Sequence, residues 1–325
     1  MSVSIVIPAH NAQAYLASTI ESVLSQSYAD WHLVIVDDGS RDNTVSIAAE
    51  FSSRDPRIGV VGQPNSGTAC ARNRGLAESR PDTDYLLFLD HDDTLQGDAI
   101  DCLVRAVNSS PGAVGAHGLA QKVDTLGQPI GEGQAAIQNY KRRKLVDGKI
   151  VTAGRQEPTT AAMLVYDNVI CTPGQVLVRR ADAEKVLRSD HELFDPTAVP
   201  LDDWDFWLRL TRFGDLAYVD RVVLDWRRHE KAGSTDNRAM SAAEMRIRKQ
   251  LIESDLPAEL ASVANFRYRH LLRTEQRRAA RAALGSAGDR LSLRDIRGGA
   301  GSLGLALRHY ASYLGLRRTA GTRDG

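Results

Sequence analysis

Short apolar runs alternate with helical segments through the first hundred residues, and this alternation restricts the possible folds more than any other feature. The strand-like runs are Val3 to Ile7, His32 to Val36, Ile58 to Val61 and Tyr85 to Leu89. The stretches between them repeat apolar residues at helical spacing, as in Tyr15 to Leu24. Strands that are apolar on both faces and are joined by helices are typical of a mostly parallel sheet with both faces covered. The sequence therefore predicts an α/β fold.

Polar or glycine-rich segments follow each of these strands. They are PAHN after the first strand, DDGS after the second, NSG after the third and DHDD after the fourth. The carboxyl ends of parallel strands lie at one edge of a sheet, and ligands bind there. We therefore expect the four segments to line one edge, which we call the ligand rim.

The fourth segment places three carboxylates, Asp90, Asp92 and Asp93, directly after a buried strand. Neighbouring carboxylates repel one another and resist desolvation, so a cation or a polar ligand is expected beside them. Two carboxylates on a short loop can hold one hard cation and leave positions open for phosphate oxygens. The segment predicts Mg²⁺ or Mn²⁺, although an acidic turn that caps a helix fits the same residues.

The charge balance and the cysteines argue against several classes of protein. The 41 basic and 41 acidic residues leave a net charge of +0, which argues against general nucleic-acid binding. Three scattered cysteines, Cys70, Cys102 and Cys171, fit neither a disulfide framework nor a zinc motif. The N-terminus lacks signal-peptide features, and no long uncharged apolar stretch occurs. We expect a cytoplasmic protein that does not span a membrane.

The middle of the chain is less regular. From Gly112 to Thr160 the periodicity weakens, and the basic run from Tyr140 to Lys144 lies within it, so we predict a loop-rich, solvated insertion. Strand signals return at Val176 to Val178 and at Ala217 to Leu224. Between these strands, the segment from Phe194 to Leu210 predicts a tryptophan-rich helix.

The last part of the chain, from about Ser241 onward, is helical in character and becomes basic. Residues 264–325 contain 13 Lys or Arg and 4 Asp or Glu. Apolar and arginine positions are mixed in these helices. This pattern fits a partner helix, an anionic membrane surface or a solvated appendage.

Four stretches, in this order along the chain, resemble the pattern of glycosyltransferase family 2. They are SIVIPAHN, VIVDDGSRDNT, QPNSGTACARNRGLAES and LDHDD. The resemblance is strong over Ser2 to Asp98 and resumes over Thr172 to Thr235, whereas the middle insertion and the tail after Met240 lie outside it. It implies the GT-A fold, a Rossmann-like sheet flanked by helices, and inverting transfer of a sugar from a nucleotide sugar with a divalent metal.

The resemblance assigns base recognition to the first two segments of the ligand rim. Pro8 and His10 would lie against the nucleotide base, although an aromatic residue is commoner in the family where His10 stands. Asp38 would accept a hydrogen bond from a uracil-like imide. A purely structural role for Asp37 and Asp38, as turn formers before a glycine, stays open.

The third segment matches the part of the family that closes over the ribose and the diphosphate. It contributes Asn65, Gly67 and Arg72. Gly67 would permit close backbone approach, and Arg72 would complement phosphate. Arg74 is expected to be a solvated helix residue.

The metal site that the resemblance implies uses the fourth segment and a histidine near the end of the match. Asp92 matches the metal ligand of the family, and Asp90 matches a residue that touches ribose or metal. Asp93 is expected to cap a helix or to support the ligands from behind. His229 in WRRHEKAGST would complete the metal shell or meet the diphosphate, with an ordinary surface histidine as the alternative. The expected cofactor is Mn²⁺ or Mg²⁺.

Inverting transfer also needs a base that takes the proton of the acceptor hydroxyl, normally a carboxylate. In LDDWDFWLRL, Asp202 and Asp203 match the Glu-Asp element of the family, and Asp203 stands at the position of the base. Asp202 replaces the commoner Glu, which leaves the assignment between the two open. Asp205 is expected to be a charge at the N-terminus of the helix.

These assignments divide the chain into three parts. Residues 1–110 form the nucleotide-sugar-binding half of one domain, residues 111–240 form its acceptor-binding and catalytic half, and residues 241–325 form a basic helical extension. The expected donor is a nucleoside diphosphate sugar, with UDP favoured, and the acceptor is a polysaccharide, a lipid-linked sugar or a small molecule. The extension would allow peripheral contact with an anionic membrane at its inner face.

Two functions from other classes stay open. A nucleotidyltransferase also builds a carboxylate-metal site on an α/β sheet, but the chain has no GxGTR-like loop near the first strand, and Asp202 and Asp203 would then have no task. A non-catalytic nucleotide-sugar-binding protein would keep Asp38 and Asp92 but would not need a base.

Overall fold

A computed structural model describes residues 1–131, 142–146, 149–188, 191–229 and 236–292. The chain divides into two compact units, Met1–Ile247 and Arg248–Gly325. Tyr140, Lys141 and the part of the basic tail after residue 292 lie outside the described residues.

An eight-stranded mixed sheet forms the centre of the first unit. The strands of the described chain are β1 (Val3–Ala9), β2 (Trp31–Asp38), β3 (Ile58–Gln63), β4 (Tyr85–Phe88), β5 (Thr94–Leu95), β6 (Gly115–Val123), β7 (Arg143–Val146), β8 (Lys149–Thr152), β9 (Val176–Arg179) and β10 (Leu216–Arg227). The order in the large sheet is β3-β2-β1-β4-β9-β6-β10-β5, and β7 and β8 form a separate antiparallel pair. The four strands predicted in the first hundred residues all form and are mutually parallel.

Helices flank this sheet, as expected for the predicted α/β class. They are α1 (Leu16–Leu24), α2 (Thr44–Arg54), α3 (Thr68–Glu78), α4 (Ala99–Ser109), α5 (Ala161–Tyr166), α6 (Arg180–Ala183) and α7 (Asp202–Leu210). Short 3-10 turns lie at Pro173–Gln175, Glu184–Val186 and Pro196–Ala198.

Alternate residues of β2 are buried against opposite layers of helices. Leu33 and Ile35 belong to the large core that also contains residues of α1, α2 and α4. Val34 and Val36 pack with Ala71 of α3 in a smaller cluster. The continuous apolar run of this strand is thus explained by burial on both faces of the sheet.

The prediction of a loop-rich insertion from Gly112 onward is wrong for its first part, because β6 is a buried strand of the large sheet. The strand contains glycine and alanine in place of β-branched residues, since its neighbours approach very closely. A Cβ on Gly115 would lie 2.5 Å from the carbonyl oxygen of Leu177, and one on Gly118 would lie 2.6 Å from Val223. Small residues fit this strand, but they carry little strand signal.

The basic run predicted to be solvated also contains a buried side chain. Arg142 is 1% exposed, and its guanidinium lies 3.4 Å from the ring centre of Tyr218. It donates hydrogen bonds to Thr159 Oγ1 and to the Gly154 carbonyl. Arg142 therefore anchors the start of the β7–β8 pair.

The tail is helical as predicted, as far as it is described. α8 (Asn237–Glu253) is followed by α9 (Ala258–Ser292). Among the described residues, none of the helices combines the length and the apolar character needed to cross a membrane.

Candidate active site

The parallel registers of β1, β2 and β4 bring the predicted ligand rim to one edge of the sheet. Ala9 at the end of β1 pairs with Asp37 at the end of β2, and Val6 pairs with Phe88 at the end of β4. The segments after these strands therefore start side by side. Three groups of predicted site residues lie there, around Asp38, Asp92 and Asp202.

The first group surrounds Asp38, whose carboxylate is 3% exposed and accepts three hydrogen bonds. The backbone N–H of Ser66 and the side chain of Gln63 donate to Oδ1, each at 2.8 Å. The backbone N–H of Gly67 donates to Oδ2 at 2.8 Å. Gly67 has φ +89° directly before α3, a conformation that glycine adopts without the cost of a Cβ. A carboxylate has about four acceptor positions, so Asp38 retains capacity for one further donor.

His10 and Asn65 lie beside this carboxylate. The Nδ1 atom of His10 is 2.7 Å from the Asp38 carbonyl, and its Nε2 is 3.1 Å from the side-chain amide nitrogen of Asn65. A carbonyl only accepts, so Nδ1 carries the proton and Nε2 is the acceptor. Gly39 makes this arrangement possible, because a Cβ there would lie 2.8 Å from the backbone nitrogen of Asn65.

Pro8 is placed differently from the expectation. It is a buried residue inside β1, which continues to Ala9, and its carbonyl lies 3.1 Å from His91 Nδ1. Because the ring is enclosed by the protein, stacking of Pro8 against a nucleotide base is not supported by this placement.

The second group is a buried ion-pair bridge. Arg72 of α3 donates from Nη1 to Asp202 Oδ2 and from Nη2 to Asp90 Oδ1, both at 2.6 Å. Burial disfavours the charged guanidinium, but the carboxylates of Asp202 and Asp90 outweigh it and raise the pKa of Arg72. The two terminal nitrogens of Arg72, which were expected to complement phosphate, therefore contact carboxylates of the protein.

Asp202 and Asp203 begin helix α7, and both are buried. Burial raises the pKa of Asp202, and Arg72 opposes this shift. Burial and the neighbouring charge of Asp202 raise the pKa of Asp203 to about 7, and Arg72 offsets only part of the effect. Asp203 Oδ1 accepts a hydrogen bond from the backbone N–H of Trp204 at 2.7 Å. Within the described part of the chain, Asp202 thus has a cationic partner at hydrogen-bond distance, whereas Asp203 has none.

The third group joins Asp92 to His229, whose Nε2 lies 2.8 Å from Asp92 Oδ2. The centre of the His229 ring lies 5.2 Å from the centre of the Tyr15 ring, and the Arg227 guanidinium lies 4.9 Å from the centre of the Tyr15 ring. Sequence reasoning missed Tyr15, because its position at the start of an apolar helical pattern assigned it to the core.

The predicted metal set of Asp90, Asp92 and His229 is only partly assembled. Asp92 and His229 meet, but the Asp90 carboxylate contacts Arg72. Across the described residues, no three His, Cys, Asp or Glu side chains gather as a metal-holding group. The Asp90 carboxylate points toward Arg72 because the positive charge of Arg72 compensates a carboxylate that would otherwise repel Asp92.

Asp93 does not cap a helix, which corrects part of its expected role. It is 1% exposed, accepts from Thr172 Oγ1 at 2.7 Å and from the backbone N–H of Arg227 at 3.0 Å. Burial, with Asp92 and Asp90 nearby, raises its pKa well above the usual range. Asp93 therefore ties the loop after β4 to the end of β10, behind Asp92. Nothing in its sequence neighbourhood indicated Thr172 as its partner.

Two charges expected to be ordinary helix residues have partners on their own helices. Asp205 lies in the first turn of α7 and forms a partly buried pair with Arg209 at 3.0 Å. Arg74 pairs with Glu78 at 2.8 Å on the exposed side of α3. Neither residue touches the three groups described above.

Residues 4–187 match the family model described as Glycosyl transferase family 2. The glycosyltransferase GlyA of Streptococcus pneumoniae serotype 4 is 33% identical over 105 residues, which are 32% of this chain and 15% of that protein. The chondroitin synthase of Escherichia coli is 27% identical over 220 residues, 68% of this chain and 28% of that protein. The matched regions thus span less than a third of the length of these relatives.

Solved structures share the fold. The S. aureus TarS structure in complex with UDP-GlcNAc has a TM-score of 0.59 at 15% identity and covers 97% of this chain and 92% of that one. The mannosyltransferase PcManGT from Pyrobaculum calidifontis, in complex with GDP-Man and Mn²⁺, has a TM-score of 0.57 at 14% identity and covers 96% and 86%. At this level of identity the likeness establishes the fold.

Proposed function

Because this chain belongs to glycosyl transferase family 2 and has the GT-A fold, we propose that it transfers a sugar from a nucleoside diphosphate sugar to a hydroxyl acceptor with inversion. UDP is the favoured nucleotide, and the acceptor is a polysaccharide, a lipid-linked sugar or a small molecule. The observation that carries the proposal is the pair of buried carboxylates at the start of α7, in which Arg72 holds Asp202 at 2.6 Å while Asp203 accepts a hydrogen bond from the backbone N–H of Trp204.

Asp203 is the proposed general base. A base works best when its pKa lies near the working pH, because it is then available in the ionised form and still takes a proton readily. Asp203 removes the proton from the acceptor hydroxyl while the acceptor oxygen bonds to the anomeric carbon. The bond from that carbon to the diphosphate oxygen breaks, and its electron pair leaves with the nucleoside diphosphate. Attack opposite the leaving group inverts the anomeric centre.

Asp202 is a poorer candidate for the same role. Burial raises the pKa of Asp202 as well, but Arg72 opposes this shift and holds the Asp202 Oδ2 at 2.6 Å. Asp202 would have to give up part of this ion pair to take a proton, whereas Asp203 would not.

The surroundings of Asp38 support a nucleotide-binding role. Its carboxylate retains one acceptor position and lies at the ligand rim, where a uracil-like imide N–H would provide the fourth hydrogen bond. His10 and Asn65 are joined beside it and offer ring and amide surface to a base or a ribose. TarS, which shares the fold, has been solved with UDP and with UDP-GlcNAc.

Asp92 and His229 fit a divalent metal as an oxygen and a nitrogen ligand that already face each other at 2.8 Å. Carboxylates suit Mg²⁺ and Mn²⁺, and the imidazole favours Mn²⁺ of the two. A bound metal would neutralise charge on the departing diphosphate. Asp90 would support this site through its contact with Arg72.

We further propose that the protein acts in the cytoplasm and that its basic extension permits peripheral contact with an anionic membrane. Arg269 and Arg273 lie on one face of α9, three and seven residues after the half-exposed Phe266. Cationic and aromatic side chains on one helix face are typical of interfacial helices. Co-sedimentation with anionic vesicles, compared with neutral ones, tests this point.

Calorimetric titration with UDP, GDP, TDP, CDP and ADP, with and without Mn²⁺, tests the donor assignment. We expect one nucleotide, UDP, to bind tightly and only when Mn²⁺ is present. Its sugar conjugates are then incubated with the protein and with one acceptor of each proposed class, an oligosaccharide, a lipid-linked sugar and a small alcohol, and release of the free nucleoside diphosphate is measured. A protein that binds no nucleotide, or that binds one without releasing it from any sugar conjugate in the presence of any of these acceptors, would refute the transferase proposal.

A further inference from the structure

Helix α3 connects the two halves of the candidate site through the buried side chain of Arg72. The side chain is 5% exposed, and its two terminal nitrogens each contact one carboxylate at 2.6 Å. One of these carboxylates, Asp90, follows β4 at the ligand rim, and the other, Asp202, begins the helix that carries the candidate base. The two aspartates are 112 residues apart in the sequence and have Arg72 as a common partner.

The two ion pairs of Arg72 argue against a primary role in holding phosphate. Both terminal nitrogens already donate to carboxylates at 2.6 Å, so a phosphate would have to displace one of these carboxylates. The Nε atom of Arg72 is buried and has no hydrogen-bond partner among the described residues, and the guanidinium carbon lies 5.3 Å from the ring centre of Phe194. The positive charge is already balanced by two carboxylates, so it offers little net attraction to an incoming diphosphate.

The next residue of α3 anchors the segment that leads to the base helix. Asn73 Oδ1 accepts from the backbone N–H groups of Leu193 and Phe194, at 3.1 and 2.9 Å. Its Nδ2 donates to the Phe194 carbonyl at 2.8 Å. Consecutive residues of α3 therefore hold both the approach to α7 and its first residue.

We propose that Arg72 is a positioning residue that fixes the base helix α7 against the donor loop at Asp90. The inference rests on the proposed transferase function and deepens it. Arg72 holds Asp202 in place, and Asp203, the next residue along the helix, is thereby aimed at the acceptor. The same side chain ties the base to the loop that carries Asp92, so donor and base keep a fixed separation.

The charged groups that act on Asp203 come from three elements. They are Asp202 on its own helix, Arg72 on α3 and Asp90 on the loop after β4. Arg72 donates a hydrogen bond to each of the two carboxylates in this set, Asp202 and Asp90. A change at Arg72 therefore moves the position of the base and its electrostatic surroundings together.

The test compares Arg72→Met and Arg72→Lys with Arg74→Lys, a control two residues along the same helix that lies in an exposed pair with Glu78. Nucleoside diphosphate affinity is measured by calorimetry with Mn²⁺, and kcat is measured by nucleoside diphosphate release. We expect Arg72→Met to lower kcat about 100-fold through misplacement of the base, with the Kd changed less than about threefold. Arg72→Lys recovers kcat only in part, since an ammonium group cannot span both carboxylates as the fork does. Arg74→Lys changes neither quantity.

A phosphate-binding role gives the opposite pattern. Lysine binds phosphate well as a point charge, so Arg72→Lys would restore activity, and Arg72→Met would raise the Kd about tenfold or more. That outcome would overturn the inference while leaving the transferase proposal intact. Absence of nucleotide binding by the unmodified protein would instead refute the transferase proposal.

Arg72→Met leaves two carboxylates without their cation and can unfold the protein, so a second variant is needed. The double variant Arg72→Met/Asp202→Asn removes one of these charges. Its kcat is compared with that of Asp202→Asn alone. Because both changes break the same contact, the double variant should lose no more than about threefold beyond Asp202→Asn. A much larger further loss would show that Arg72 and Asp202 act independently, which contradicts the inference.

Discussion

Asp38 and Asp203 are both buried carboxylates in the candidate site, but their surroundings differ. Asp38 accepts hydrogen bonds from Ser66, Gly67 and Gln63. Asp203 accepts one, from the backbone N–H of Trp204, and lies beside the like charge of Asp202. Donors around a carboxylate stabilise its charge, whereas burial beside another carboxylate favours the protonated form.

This difference separates two functions that a carboxylate can have. A carboxylate such as Asp38, which accepts three hydrogen bonds and retains one acceptor position, suits recognition of a ligand N–H. A sparsely donated one such as Asp203 takes up a proton readily and suits proton transfer. The following substitutions test this separation, from the largest expected effect to the smallest.

Asp203→Asn should have the largest effect. An asparagine cannot take the acceptor proton, so kcat should fall about 1000-fold, as measured by nucleoside diphosphate release. Nucleotide affinity should stay within about threefold. The Asn Oδ1 can still accept from Trp204, and a destabilising buried charge is lost, so the free energy of unfolding above pH 7 should not fall.

The sign of that stability effect follows from the raised pKa of Asp203. Because the pKa of Asp203 is higher in the folded state than in the unfolded state, the free energy of unfolding falls as the pH rises from the usual aspartate pKa of 3.8 through about 7. Chemical denaturation at pH 5 and at pH 8 measures it. A variant that is less stable than the natural protein at pH 8 would contradict the raised pKa of Asp203.

His229→Gln removes the histidine partner of Asp92 and should weaken Mn²⁺ binding about 10- to 100-fold. Binding of Mn²⁺ in the presence of nucleotide can be followed by electron paramagnetic resonance, independently of activity. His32 lies on β2 and has no contact with Asp92 in the described part of the chain, so His32→Gln is the matched control. Equal Mn²⁺ affinity in both variants would remove His229 from the metal site.

Asp38→Asn should reduce stability, in contrast to Asp203→Asn. The side-chain amide group must face at least one of the present donors, which leaves a partly buried N–H without an acceptor. We expect the free energy of unfolding to fall by about 2 kcal/mol and nucleotide binding to weaken with it. An unchanged melting temperature and an unchanged nucleotide affinity would show that the three hydrogen bonds to Asp38 contribute neither to stability nor to nucleotide binding.

Gly67→Ala should have the smallest effect. Its φ of +89° is unfavourable for alanine, but a Cβ there meets nothing within 4 Å. The cost is therefore conformational only, about 1 kcal/mol of unfolding free energy. Gly75→Ala on the same helix is a contrast, because its Cβ would clash with Val6 Cγ1 and distort the core. A larger loss of stability at Gly67 than at Gly75 would contradict the expectation that crowding costs more than backbone strain here.

The half of the fold that could be predicted has strong local patterns. β1 to β4 are continuous apolar runs, and their polar ends mark the ligand rim because parallel strands share one carboxyl edge. β6 could not be predicted, because its small residues are required by close packing against residues that are distant in the sequence. Strand propensity describes a residue and its local neighbours, whereas that strand is determined by tertiary packing.

The same limit applies to the candidate site. The residue types at Asp38, Asp92 and Asp203 follow from the sequence pattern, but the partner of each side chain does not. The bridge of Arg72 to Asp90 and Asp202 and the bond of Asp93 to Thr172 join residues between 18 and 130 positions apart. Such pairings depend on which elements of the sheet become neighbours, and one sequence does not encode them locally.

The most direct test of Asp203 as the base is the pH dependence of kcat/KM for nucleoside diphosphate release, measured with donor and acceptor present from about pH 4.5 to about pH 9 in the natural protein and in Asp202→Asn, because kcat/KM reports the pKa of the free protein. We expect kcat/KM to rise with pH to half its maximum near pH 7, where Asp203 loses its proton. Asp202→Asn removes the neighbouring charge, so its midpoint should lie at lower pH. A rate that stays at its maximum down to about pH 4.5 in the natural protein, or a midpoint that Asp202→Asn leaves in place, would contradict the assignment of Asp203 as the base.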